Sequence, residues 1–120
     1  MKSVAQCVTD AGLAINPDGL RNQLEGGIVQ ATSWALKEQV KLGGEGVLTR
    51  DWESYPVIRF SEVPEIVTEL VDAREHPPLG VGECVIGPTI AAIGNAVHHA
   101  LGVRVRDLPM TRDRIVAALA

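Results

Sequence analysis

Leu79-Gly80-Val81-Gly82-Glu83, with the apolar segment behind it, sets the terms for this chain. Two glycines allow a tight turn and a close approach of the backbone to something else. Glu83 follows at once. Cys84-Val85-Ile86-Gly87-Pro88 then leads into a helical pattern from Thr89 to Leu101. Ile86, Ile90, Ile93, Val97 and Leu101 form one stripe, and a second face carries only Thr89, Ala92 and Ala96. Such a helix is expected to be buried nearly all round. A carboxylate between a glycine turn and an apolar helix has two readings. It satisfies the helix N-terminus, where the dipole favours negative charge. Or it is a catalytic base whose proton affinity is raised by apolar walls.

Upstream, Val4 to Thr9 reads as a short strand ended by Asp10-Ala11-Gly12. A chain that opens directly on a strand of this kind is consistent with a piece of something larger. Asn16 is a candidate helix cap, and Pro17 suits the first helical position. Leu20, Leu24, Ile28, Ala31 and Ala35 recur at helical spacing, which predicts a helix to about Val40, ahead of Gly43-Gly44. Gly26-Gly27 interrupts it, at about 1 kcal/mol per glycine relative to alanine. Gln23, Gly26, Gly27, Gln30, Ser33 and Trp34 share one face. That face serves either close helix packing or a ligand lying over the glycines. In the second case Gln30 offers a donor and an acceptor to a heterocycle or amide edge.

Val47 to Trp52 and Glu65 to Asp72 read as strands, Tyr55 to Phe60 as a shorter extended piece, and Ser61 to Pro64 as a turn. Gly102 ends the apolar helix, and Val103 to Val105 suggest one more short strand. Thr111 caps a last helix to about Leu119, with Ile115, Val116 and Leu119 facing inward. The 120 residues, 46% of them apolar, fit one domain, residues 1–120, and only 3% are aromatic, so its core is aliphatic.

A net charge of −4 argues against a nucleic-acid or anionic-membrane surface. The most apolar window, Cys84 to Val97, is shorter than the roughly 20 residues of a membrane span. No signal peptide is expected, because Thr9 and Asp10 break the first apolar run. Cys7 and Cys84 lack the spacing of a zinc site or disulfide framework and read as reduced, partly buried thiols. Adjacent His98 and His99 point about 100° apart on a helix and read as neighbours of its C-terminus, not as metal ligands. Asp51 and Glu53 flank Trp52 on what reads as a solvated face. There is no Ser-His-Asp order, P-loop or dinucleotide fingerprint.

The segment Ile15-Asn16-Pro17-Asp18-Gly19-Leu20-Arg21-Asn22-Gln23-Leu24-Glu25-Gly26-Gly27-Ile28-Val29-Gln30 resembles a hallmark of the molybdenum hydroxylases, the xanthine dehydrogenase and aldehyde oxidase superfamily. The resemblance continues, in order, through Ser33 to Glu38, Arg50 to Pro56, Phe60 to Pro64 and Pro77 to Glu83. It is most similar in flavour to the isoquinoline 1-oxidoreductase type of large subunit, and it covers nearly the whole chain. The family's large subunit is several times longer, and the chain resembles its C-terminal end. One local departure is Cys84, where the family usually has a small residue or proline.

The resemblance implies that Glu83 is the catalytic glutamate, a base for the water-derived oxygen that attacks an N-heterocycle or aldehyde. Gln30 aligns with a pterin contact, and Gly26, Gly27 and Gly82 would let the cofactor approach the backbone. The implied cofactor is molybdopterin cytosine dinucleotide. The implied partners are the remainder of the large subunit and an iron–sulfur subunit. Alone, the chain is expected to be inactive and to form a homodimer through apolar surface that normally faces the missing part. The alternative function is a non-catalytic remnant or a small dimeric binding protein. The expected compartment is the cytoplasm, or the periplasm through a partner subunit. The expected fold is α+β, with two main helices on a mostly antiparallel sheet of three to five strands and a short C-terminal helix.

Overall fold

A computed structural model describes residues 3–120. The elements are β1 (Val4–Thr9), α1 (Pro17–Leu36), β2 (Leu42–Gly43), β3 (Gly46–Val47), β4 (Glu65–Leu70), α2 (Ile86–Leu101) and α3 (Arg112–Ala117), with a 3₁₀ turn at Phe60–Glu62. The α+β class, the two main helices and the short third helix are as expected.

β1 and β4 pair in parallel, from Val4 opposite Glu65 to Thr9 opposite Leu70. Parallel neighbours need a crossover connection, and α1 lies within it. Both strands alternate strictly between half-buried and exposed residues. Ala5, Cys7, Ile66 and Leu70 turn inward onto Leu24 and Ile28 of α1. Val4, Val8 and Val67 are exposed on the other face. Leu24 is the largest fully buried side chain, and Val85 completes the cluster from the loop before α2. Burying each such side chain contributes about 1.5–3 kcal/mol.

α1 starts where its signals say. The Asn16 side chain accepts a hydrogen bond from the Gly19 amide at 3.0 Å, and Pro17 occupies the first turn. The helix ends at Leu36 instead of near Val40, with the Lys37 amide bonded back to the Ser33 carbonyl. Met110 straps the two main helices together. Its amide donates to the Ala35 carbonyl at 2.6 Å, and its sulfur lies beside Gly94 of α2.

The sheet departs from the expected mostly antiparallel one of three to five strands. Two separate two-stranded sheets form, and the larger is parallel. Among the described residues only β2 and β3 pair antiparallel, through Leu42–Val47 and Gly43–Gly46. The predicted strand from Val47 to Trp52 stops at Val47 because Asp51 turns the chain. Its carboxylate accepts the Ser54 amide and hydroxyl at 2.8 and 2.7 Å. Tyr55 to Phe60 finds no strand partner; the Ile58 amide bonds the Ser33 hydroxyl instead. Val103 to Val105 forms no ladder either.

α2 ends at Gly102, in the left-handed conformation with φ 76°. None of its residues is fully buried, against the expectation of burial all round. α1, Met110 and the segment from Arg104 to Leu108, whose Arg104 guanidinium donates to Asn95, cover it in part. Thr111 caps α3 by accepting from the Arg114 amide. That helix stops at Ala117, and Val116 and Leu119 face outward, not inward. The radius of gyration is 16.9 Å, against about 13.6 Å for a compact domain of this length. The chain has the proportions of a wall. Among the described residues no helix is long and apolar enough to cross a membrane.

Candidate functional site

Because β1 and β4 are parallel, their carboxyl ends lie on one edge, where crossover units usually place a ligand. The loops leaving that edge are laced together. The Val71 amide bonds the Thr9 carbonyl, the Leu79 amide bonds Ala11, and the Leu13 amide bonds His76, at 2.9 to 3.0 Å. Gly12 has φ +62°, and a Cβ there would stand 2.1 Å from the Pro77 carbonyl oxygen. Only glycine permits that approach. The lacing carries residues 79–85 across to the N-terminal half of α1.

Two contacts fix this loop on the helix. The Gln23 side-chain amide donates to the Gly82 carbonyl at 2.9 Å, across 59 residues of sequence. One turn further along α1, Gly27 is buried beneath Val85; a Cβ on Gly27 would stand 2.6 Å from Val85 Cγ2. Close packing therefore accounts for Gly27. It does not account for Gly26, Gly80 or Gly82, where a Cβ would meet nothing within 4 Å and φ is not positive. Gly26 weakens an exposed stretch of helix with no compensating contact among the described residues. Gln30, one turn beyond Gly26, is exposed, and its amide has no partner among them. Ser33 does not belong to this open face: it is buried.

Glu83 sits between the two fixed points. Its backbone carbonyl accepts the Ile86 amide at 3.2 Å. Its side chain is exposed and forms no hydrogen bond or ion pair among the described residues. Glu83 makes no capping hydrogen bond to α2, which has Val85 at its N-cap and no side-chain cap. The apolar walls expected around the carboxylate are not found among the described residues, where Glu83 is exposed. Cys84 is exposed, where a partly buried thiol was expected; its sulfur donates to the Val81 carbonyl at 3.7 Å. Sequence reasoning placed Gln23 on the glycine face but missed its bond to Gly82. The available signal was its spacing of one turn from Gly27.

The perturbed titrating groups lie elsewhere and tie the structure. The Lys37 ammonium, with the Arg59 amide, holds the Glu62 carboxyl below the usual range. The Ser54 amide and hydroxyl do the same for Asp51. The Tyr55 hydroxyl donates to Glu38 at 2.8 Å, which pushes its pKa up. Among the described residues no group of three His, Cys, Asp or Glu could hold a metal ion. His98 Nδ1 is buried without a partner.

On the flank, β1, α1 and α2 enclose an open apolar cleft of about 550 Å³, lined by Cys7, Thr32, Leu36, Ala92, Ala96 and Val97 among others.

Residues 4–64 match the family model described as a molybdopterin cofactor-binding domain. The chain is 43% identical to a nicotinate dehydrogenase subunit of Pseudomonas putida, over 92% of this chain and 9% of that one. It is 38% identical to the beta subunit of isoquinoline 1-oxidoreductase from Brevundimonas diminuta, over 87% of this chain and 13% of that one. Quinoline 2-oxidoreductase from Pseudomonas putida 86 superposes on 93% of the chain, and 15% of its own, with a TM-score of 0.83 and 28% identity. The chain thus spans only a small part of the length of the relatives it matches.

Proposed function

The chain belongs to the molybdopterin cofactor-binding domain family, within the xanthine dehydrogenase and aldehyde oxidase group of molybdenum hydroxylases, and we propose that it supplies the base and one wall of such an enzyme's active site. The substrate class is an N-heterocycle or an aldehyde. The observation that carries this reading is the state of Glu83. Among the described residues nothing engages its carboxylate, on a loop that is fastened at two points.

The residues present fit a pterin. Gly26 and Gly82 leave open space where a Cβ would otherwise stand. Gln30 presents an amide, both donor and acceptor, that has no partner among the described residues, on the same side of α1 as Gly26. Gly27 acts one step removed, by seating Val85. A bound molybdopterin, here proposed as the cytosine dinucleotide form, supplies the redox chemistry and oxygen transfer. Glu83 accepts the proton of the attacking water-derived oxygen at its carboxylate. Closure by the remainder of the large subunit removes Glu83 from bulk water and holds its carboxylate against the reacting centre. An iron–sulfur partner takes the electrons.

Alone, the chain is inactive on this proposal, and two copies associate through the exposed face of α2. Its site is cytoplasmic unless a partner subunit carries the complex across a membrane. The test is complementation. The chain is co-expressed with the matching nicotinate dehydrogenase polypeptide of Pseudomonas putida, shortened by the segment the chain replaces, and with the partner subunits that enzyme requires. The expected outcome is a complex that holds molybdenum and turns over. Glu83→Gln is expected to abolish turnover while molybdenum content stays the same. A complex that never forms, forms without molybdenum, or keeps its turnover with Glu83→Gln overturns the reading.

A further inference from the structure

We propose that Gln23 is the positioning residue for Glu83, with Gly27 beneath Val85 as the second point of the same clamp. The inference rests on the reading of Glu83 as the base and adds the device that aims it.

Glu83 lies on a short span between two anchors. On one side, the Gly82 carbonyl is held by the Gln23 amide at 2.9 Å. On the other, Val85 packs into the notch that the missing side chain of Gly27 leaves. Residues 23 and 27 are neighbours on one helix face. The helix between them is itself fixed, since Leu24 and Ile28 are buried against the sheet. The loop therefore inherits the rigidity of α1.

The two anchors differ in what they control. A peptide unit is planar, so holding the Gly82 carbonyl also holds the amide nitrogen of Glu83 and the origin of its side chain. Val85 fixes only the far end. Nothing else among the described residues holds the Gly82 carbonyl, and glycine has no side chain to restrict its own backbone. Without Gln23 the peptide that carries Glu83 swings between Val81 and Cys84.

The test uses the full chain, labelled for nuclear magnetic resonance relaxation, as wild type, Gln23→Met and Asn22→Met. Methionine keeps the length and helix preference of glutamine and removes the donor. Residue 23 is exposed, so the variant is expected to fold with an unchanged melting temperature. In wild type and Asn22→Met, the amide order parameter of Glu83 should lie near 0.85; in Gln23→Met it should fall below about 0.6, while Val85 stays rigid. A Glu83 amide that is already mobile in wild type, or stays rigid in Gln23→Met, overturns the proposal. In the complemented enzyme, Gln23→Met should lower kcat by about a hundredfold with KM within a factor of two. An unchanged kcat, or a loss confined to KM, also overturns it. Glu83→Gln tests the catalytic reading separately. If that variant keeps full turnover while Gln23→Met frees the loop, the clamp stands as geometry and the base assignment falls.

Discussion

The two main helices have opposite fates. α1 carries three glycines, two glutamines and several charged residues, yet it buries Leu24, Gly27, Ile28, Ala31, Thr32, Ser33 and Ala35. α2 is almost entirely apolar and buries none of its residues. Burial here follows neighbours, not apolar content. The parallel crossover presses α1 against the strands on one side and the glycine loop on another. α2 meets α1 and the Met110 strap, and its small-residue face lines an open cleft. On the proposed reading, the exposed face of α2 is the one the remainder of the large subunit covers.

The contrast can be broken most directly through stability. Leu24→Ala on α1 is expected to cost about 3–5 kcal/mol in urea unfolding of the chain. Ile93→Ala on α2, where the side chain is only half-buried, is expected to cost about 1 kcal/mol or less. Equal losses would show that α2 is as much a core helix as α1.

The adjacent glycines sharpen the same contrast within one helix. Gly27→Ala pushes a methyl group into Val85 and should cost about 1–3 kcal/mol. Gly26→Ala meets nothing and should stabilise the chain by about 0.5–1 kcal/mol, while lowering molybdenum retention in the complemented enzyme. Ala92→Lys on α2 should leave the stability of the chain alone within about 0.5 kcal/mol and still prevent the complex from assembling, as read by co-purification.

The smallest effect belongs to the end of α1. There the Lys37 ammonium and the Arg59 amide depress the Glu62 pKa below its ordinary value of 4.5. A depressed carboxylate stabilises the fold above its unfolded pKa and loses that contribution as the pH falls through its folded one. Glu62→Gln should therefore lower the melting temperature at pH 6–7 slightly, with the difference from wild type disappearing towards pH 3.

What was legible in the sequence was local. The Asn16 cap with Pro17, the bounds of β1 and β4, the Gly102 stop and the Thr111 cap each depend on a few consecutive residues, and each stands as read to within a residue or two. The direction of strand pairing was not legible, because it depends on where α1 crosses. Nor was the end of the predicted Val47 to Trp52 strand, where Asp51 and Ser54 close a turn that competes with any ladder. The exposure of α2 was illegible for a different reason: an apolar pattern reports the environment a helix is meant for, whether or not its neighbours are present. At the candidate site, Glu83, Gly82, Gly26, Gly27 and Gln30 are expectations of the sequence, and of these Gly27 packs under Val85 instead of facing open space. The tie between Gln23 and Gly82 was not legible, since its partners stand 59 residues apart.

The pairing of Val4 with Glu65 has a consequence for how the chain comes into being. During synthesis, β1 cannot make its pairing with β4 until β4 emerges, and long-range parallel pairing closes slowly. Until Val85 follows, Leu24 and Ile28 stay wet on one flank. Closure is thus a late event, and the loop bearing Glu83 is the last piece of the hydrophobic cluster to arrive. A nascent chain cut short of that loop would carry a sticky helix and lack Glu83.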